Sequence, residues 1–136
     1  MNVTGVLETS IYVDDVARSA EFYRRVFGFE QMEGDHRFCA LSVAGRGVFL
    51  IFKKGGSVQP VQLPGGVLPP HDGYGQQHYA FSVPEADLDA WEQKLVENGV
   101  AIESRVDWPR GGRSIYFRDP DGHVGELVTP GCWAIY

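Results

Sequence analysis

A duplication constrains this chain more than any other feature. Residues 8–13 read Glu-Thr-Ser-Ile-Tyr-Val and residues 78–83 read His-Tyr-Ala-Phe-Ser-Val, 70 positions apart, each alternating in the manner of a half-buried strand. Each strand precedes a helical pattern. In the first, Asp14 and Asp15 offer a cap, Val16, Ala20, Tyr23, Val26 and Phe27 recur at helical spacing, and Gly28 is a stop. In the second, Pro84 and Glu85 introduce Leu88, Trp91 and Leu95, and Asn98-Gly99 closes the helix. Strand-like stretches follow each helix, Phe38–Val43 and Val48–Phe52 in the first half, Ser114–Arg118 and Val124–Val128 in the second, with a further piece near Val100–Glu103. Ala44-Gly45-Arg46-Gly47 and Asp119-Pro120-Asp121-Gly122 have the composition of hairpin turns. Each half therefore reads as strand, helix and about three strands.

The modules occupy approximately residues 4–55 and 75–130 of a single 136-residue domain. Residues 53–75 between them are rich in Gly and Pro. A connection of this length inside a compact domain usually carries function, so part of it is expected to lie over a binding site. With 43% hydrophobic residues the chain has material for a core. Eighteen acids against twelve Lys plus Arg give a net charge of −6, which disfavours nucleic acid as a partner. No apolar run is long enough to span a bilayer and the N-terminus has no signal-peptide pattern, so a cytoplasmic protein is expected. Cys39 and Cys132 are expected as small, buried or half-buried free thiols.

Alternation places Glu8, Ser10 and Tyr12 on one face of the first strand and His78 and Ala80 on the equivalent face of the second motif. A pseudo-twofold relation would bring Glu8 and His78 together. With Leu127 in the core, Glu126 turns to the same side. A Glu in an apolar strand is costly to bury without a cation or donor, and one imidazole with two carboxylates suits a divalent ion. Singly, Glu8 reads as a solvated edge residue, His78 as an ordinary histidine and Glu126 as an arginine partner; the repeat links them. Ser114, Tyr116 and Arg118 share a face opposite Ile115 and Phe117. Tyr116 is a donor to substrate oxygen and Arg118 a carboxylate or phosphate ligand, with an ion pair to Asp119, Asp121 or Glu126 as the alternative. Trp108 and Arg113, in a Gly-rich loop, are either a substrate wall or a solvated turn with Trp108 against the core.

The segments Leu7–Asp15, Glu21-Phe22-Tyr23, Phe27-Gly28-Phe29, Gly75–Phe81 and Tyr116–His123 running to Glu126-Leu127 resemble the vicinal oxygen chelate superfamily of glyoxalases, fosfomycin- and bleomycin-resistance proteins and extradiol dioxygenases. The resemblance implies an α+β fold of two tandem βαβββ modules forming a cup-shaped mixed sheet with helices outside. It also implies a divalent metal (Zn, Ni, Mn, Co or Fe) held by Glu8, His78 and Glu126. Glu8 departs from the His or Gln common at the first position. Aligning Gly45 with Gly122 puts Phe49 opposite Glu126, so the fourth corner lacks a donor and Phe49 joins Tyr12, Trp108, Arg113, Tyr116 and Arg118 as a substrate contact. The single His in the set disfavours a dioxygenase. The implied activity is metal-dependent chemistry on a small oxygen-rich substrate: lyase, isomerase, epimerase or addition to an electrophile, with Glu126 or Glu8 as base. The alternative is a metal-free, bleomycin-resistance-type protein binding a drug, favoured by the acidic balance and by Trp91, Trp108 and Trp133. A homodimer is expected in either case, covering free sheet edges.

Overall fold

The computed structural model describes all residues 1–136. The chain divides into two compact units, Met1–Gly75 and Gln76–Tyr136. The first contains β1 (Glu8–Val13), α1 (Val16–Phe27), β2 (Glu30–Gly34), β3 (Phe38–Val43), β4 (Gly47–Lys53) and a small hairpin, β5 (Val61–Leu63) with β6 (Gly66–Leu68). The second contains β7 (His78–Ser82), a 3-10 turn at Glu85–Asp87, α2 (Leu88–Glu97), β8 (Ile102–Asp107), β9 (Arg113–Arg118) and β10 (Val124–Val128). Each unit is thus a βαβββ module with a four-stranded sheet, in the orders β1-β4-β3-β2 and β7-β10-β9-β8, so the chain is an α+β protein of two tandem modules.

In the first unit α1 forms where its periodicity demands. The Asp15 side chain accepts the Arg18 N–H at 3.0 Å, and Gly28, at φ +71°, returns its N–H to the Arg24 carbonyl. Tyr23 and Val26 are fully buried against Ile11, Val13, Leu41, Phe49 and Ile51 on one face of the sheet. The Tyr23 and Phe49 rings lie 4.9 Å apart, a pairing that adds about 0.5–1.5 kcal/mol to the burial of their area. Phe49 was expected at the ligand; its 1% exposure places it in the helix-side core.

Strand register explains this difference. In the parallel β1–β4 pair Glu8 opposes Val48 and Ser10 opposes Leu50; in the parallel β7–β10 pair His78 opposes Val124 and Ala80 opposes Glu126. If Glu8 and His78 are equivalent, the counterpart of Glu126 is Leu50. The turn after β3 needs only residues 44–46, with Ala44 and Gly45 at φ 52° and 65°, whereas the turn after β9 takes residues 119–123. Gly45 and Gly122 therefore do not occupy equivalent places, and aligning them shifts the strand by one residue, which exchanges its faces.

In the second unit Leu88 and Leu95 of α2 are buried, as are Ile115, Phe117 and Leu127 of the sheet. The strand expected at Val100–Glu103 begins later, at Ile102, because Val100 is still tied to the end of the helix through its N–H to the Leu95 carbonyl. Part of the connecting stretch 53–75 is the β5–β6 hairpin rather than unstructured linker. Cys39 is buried, Cys132 half-buried, and both are free thiols. No helix is long and apolar enough to cross a membrane.

Candidate active site

The second sheet gathers most of the polar groups singled out in the sequence. On one face stand His78 of β7, Glu126 of β10, and Ser114 and Tyr116 of β9; the strand pairings Glu126 with Tyr116 and Val128 with Ser114 fix their spacing. Tyr79, Leu127, Ile115 and Phe117 point the other way and are buried.

The imidazole of His78 is oriented by its backbone neighbour. Its Nδ1 lies 3.0 Å from the Val124 carbonyl oxygen, and since a carbonyl only accepts, Nδ1 carries a hydrogen and Nε2 is the ring nitrogen left for other partners. That Nε2 is 3.4 Å from Glu126 Oε2. The His78 side chain is 55% exposed and that of Glu126 only 8%, so the pair spans the boundary between the interior and solvent. The buried carboxylate is held from behind. Ser114 Oγ donates to Glu126 Oε1 at 2.5 Å, and Ser114 Oγ in turn accepts the Trp108 indole N–H at 2.8 Å. The Tyr116 phenol is pushed up to about 12 by burial first, then by its hydrogen bond to Glu126 and the carboxylate's charge. Its ring stacks on that of His78 at 6.3 Å. Burial also pushes the Cys132 thiol up, with the charge of Glu126 adding to the effect.

His123 is fully buried, a role the sequence did not signal. Its Nδ1 accepts the Gln77 N–H at 2.9 Å and its own N–H reaches Asp119 Oδ1 at 2.8 Å, fastening the β9–β10 turn beside the start of β7. It thereby steadies the backbone on either side of the His78–Val124 pair.

Other expected contacts are committed elsewhere. Arg118 makes a two-pronged ion pair with Glu103 of β8, at 2.5 and 2.8 Å, and gives a third N–H to the Gly122 carbonyl. None of the partners expected for it, Asp119, Asp121 or Glu126, is used, because β8 runs beside β9 and a bulge between Ile102 and Ser104 brings Glu103 alongside. Arg113 pairs with Asp89 of α2 at 2.6 Å. Trp108 is half-buried with its N–H directed to Ser114, so it supports the Glu126 carboxylate. In the first unit Glu8 is exposed at the start of β1, and the Tyr12 hydroxyl meets His71 Nδ1 at 2.7 Å. The structure thus joins His78 to Glu126, and no three His, Cys, Asp or Glu side chains are grouped to hold a metal ion.

The model of the Glyoxalase/Bleomycin resistance protein/Dioxygenase superfamily matches residues 5–127. The chain belongs to this superfamily. Among curated members of the superfamily it is 31% identical over 128 residues to the metallothiol transferase FosB of Bacillus licheniformis, covering 93% of this chain and 76% of that protein. The FosB of Shouchella clausii is 32% identical over 131 residues, with 93% and 81% covered. The crystal structure of a lactoylglutathione lyase from Agrobacterium tumefaciens superposes with a TM-score of 0.88 at 28% identity, over 98% of this chain and 99% of that one. The superfamily resemblance on the F-Y…G-F and Y-F-x-D-P-D-G…E-L segments is therefore borne out.

Proposed function

We propose that this protein is a divalent-metal-dependent enzyme that joins a thiol to a small oxygen-rich electrophile, such as an epoxide, with His78 and Glu126 as metal ligands. One observation carries the reading: His78 Nε2, its ring oriented by the Nδ1 hydrogen bond, faces Glu126 Oε2 at 3.4 Å. Two donors sharing an ion at about 2.1 Å with a tetrahedral angle between them stand about 3.4 Å apart, so the pair fits such an ion. The bond that Ser114 donates to the other carboxylate oxygen and the one that His78 Nδ1 donates to the Val124 carbonyl are the outer contacts that orient metal ligands. A bound divalent ion supplies Lewis acidity to an oxygen that gains negative charge.

In addition to an epoxide, the sulfur–carbon bond forms as the carbon–oxygen bond breaks, and the resulting oxygen takes the proton lost by the thiol. The protonated Tyr116 phenol, beside His78, serves as donor to that oxygen once its O–H turns away from Glu126. The names of the FosB relatives support thiol transfer over the lyase, isomerase and epimerase alternatives.

The metal-free drug-binding alternative drew on three tryptophans. Trp108 is bound to Ser114, and Trp91 carries the Lys94 ammonium 4.6 Å above its ring, which leaves the exposed Trp133. A homodimer belongs to the proposal, since β1 and β2 edge one sheet and β7 and β8 the other.

Elemental analysis of tag-free protein purified without chelator tests the metal site. Near-stoichiometric metal that is lost in His78→Ala and Glu126→Ala is expected. No metal, and no uptake of Zn, Ni, Mn, Co or Fe on addition, overturns the proposal in favour of ligand binding alone.

A further inference from the structure

The stretch that joins the modules builds a cavity of its own within the first unit. Residues 54–73 pass over the sheet face opposite α1 and are tied down along their length. His71 N–H bonds the Ser57 carbonyl at 2.9 Å, Asp72 accepts the N–H groups of Gly55 and Gly73 at 3.0 and 2.9 Å, and the Tyr12 hydroxyl holds His71. Gly73 lies so close to the Tyr12 ring that a Cβ would meet it at 2.4 Å. Beneath this strap is a space of about 170 Å³, floored by Phe38, Leu50 and Phe52 and walled by Val61, Leu68 and Pro69. Phe52 stacks on Phe38 at 6.1 Å and on Tyr12 at 5.8 Å, and the edge of His71 meets it at 4.5 Å.

Size, wall chemistry and charge each restrict the occupant. An apolar cavity of about 150 Å³ accommodates one benzene ring, so this one takes a single ring and little more. Its walls are largely aromatic and aliphatic, which suits a planar apolar group. In a chain of net charge −6 its lining contains no carboxylate, one cation, Arg37, and the donors of His71, Ser57 and Gln59. Arg37 spends one guanidinium N–H on a 3.4 Å contact with Asp35 and is one-third exposed, leaving N–H groups for an acid.

We propose that this cavity binds a monocyclic aromatic acid: its ring lies between the Phe38–Phe52 floor and the β5–β6 hairpin, and its carboxylate meets Arg37. The site lies wholly in the first unit and stands whether or not His78 and Glu126 hold metal.

The test is a fluorine-NMR titration of the full chain with 4-fluorobenzoate, beside 4-fluorobenzylamine and 4-fluorobenzyl alcohol. Saturable binding of the carboxylate at one site per chain is expected. It should weaken about ten- to hundredfold in Arg37→Gln, the scale of a charged hydrogen bond, while the alcohol changes little. Filling the space with Val61→Trp should abolish binding of all three, and Leu68→Trp, at the more exposed position opposite Val61 in the hairpin, provides a second test. Failure of the carboxylate to saturate at millimolar concentration, equal binding of the amine, or undiminished binding in both Trp variants overturns the proposal.

Discussion

Replacing Ser114 by Ala tests whether the Glu126 carboxylate is held by a hydrogen-bonded chain or merely accompanied by one. Glu126 is 6% exposed and Ser114 1%, so neither group regains water readily when the bond between them is lost. A hydrogen bond to a charged group contributes about 1.5–3 kcal/mol, and the indole N–H of Trp108, which also loses its acceptor, adds about 1 kcal/mol. The volume removed is one oxygen, so cavity terms are small. The metal-free variant should therefore be about 3 kcal/mol less stable, which at an m-value of about 2 kcal/mol/M moves a urea midpoint by about 1.5 M. Tryptophan fluorescence, to which Trp91, Trp108 and Trp133 contribute, follows the transition in every variant. The chain makes a second, sharper demand. Trp108→Phe should cost about 1 kcal/mol in the wild type but almost nothing in the Ser114→Ala background, where its partner is already gone, a coupling of about 1 kcal/mol. A Ser114→Ala cost under about 0.5 kcal/mol, or additivity within about 0.3 kcal/mol, would refute the reasoning.

Three further expectations rest on separate features. In metal-free protein the highest tyrosine ionisation, followed by ultraviolet absorbance, should fall at about 12 and vanish in Tyr116→Phe. Because the fold raises this phenol above the unfolded value of about 10, its stabilising contribution is complete below that pH and is lost as pH rises through the folded value. The Gly55 N–H, with help from that of Gly73, holds the Asp72 carboxyl below its usual value. Its contribution is therefore present above about pH 4 and lost as pH falls through the lowered value; carbon-13 NMR of its carboxyl should show a midpoint below 3.8, and a midpoint at or above it would contradict the strap geometry. Finally, a Cβ on Gly125 would lie 2.3 Å from the Phe117 ring and 2.8 Å from the Tyr79 hydroxyl, so Gly125→Ala should destabilise the protein by about 1–3 kcal/mol or more in urea, and a neutral result would mean that Phe117 is free to move.

How far the sequence can be read depends on whether a residue's role is local or set by pairing. The α1 boundaries follow from Asp15 and Gly28, whose functions concern only the neighbouring turn. The face shared by His78, Glu126 and Tyr116 follows from alternation once the strands are located. Arg118 shows the limit: its face was legible, but its partner comes from β8, and the bulge that places Glu103 beside it has no distinct local pattern in the sequence. His123 is hidden for a similar reason, since the amide it satisfies is Gln77, 46 positions away.

Register also shows what the duplication has done. By the pairings that equate Glu8 with His78, the counterparts of Ser114, Tyr116 and Glu126 in the first unit are Phe38, Ala40 and Leu50. Three polar groups in one copy thus correspond to three apolar ones in the other. The backbone alternation is the same, so the difference lies in side chains alone: one sheet presents a carboxylate with its hydrogen-bonding support, while the other forms the floor of the cavity beneath the strap. A Glu placed at Leu50 would be flanked by Phe38 and Phe52, with no Ser114 equivalent to hold it, and would lose part of its hydration at a half-buried position. The same substitution at both copies is therefore not equivalent. Glu126→Leu removes a donor from a site built to orient it, whereas Leu50→Glu puts a charge on a floor that offers no hydroxyl, with Arg37 the one cation lining that cavity, and an accompanying Phe38→Ser gives the new carboxylate the hydroxyl that Ser114 supplies in the second unit.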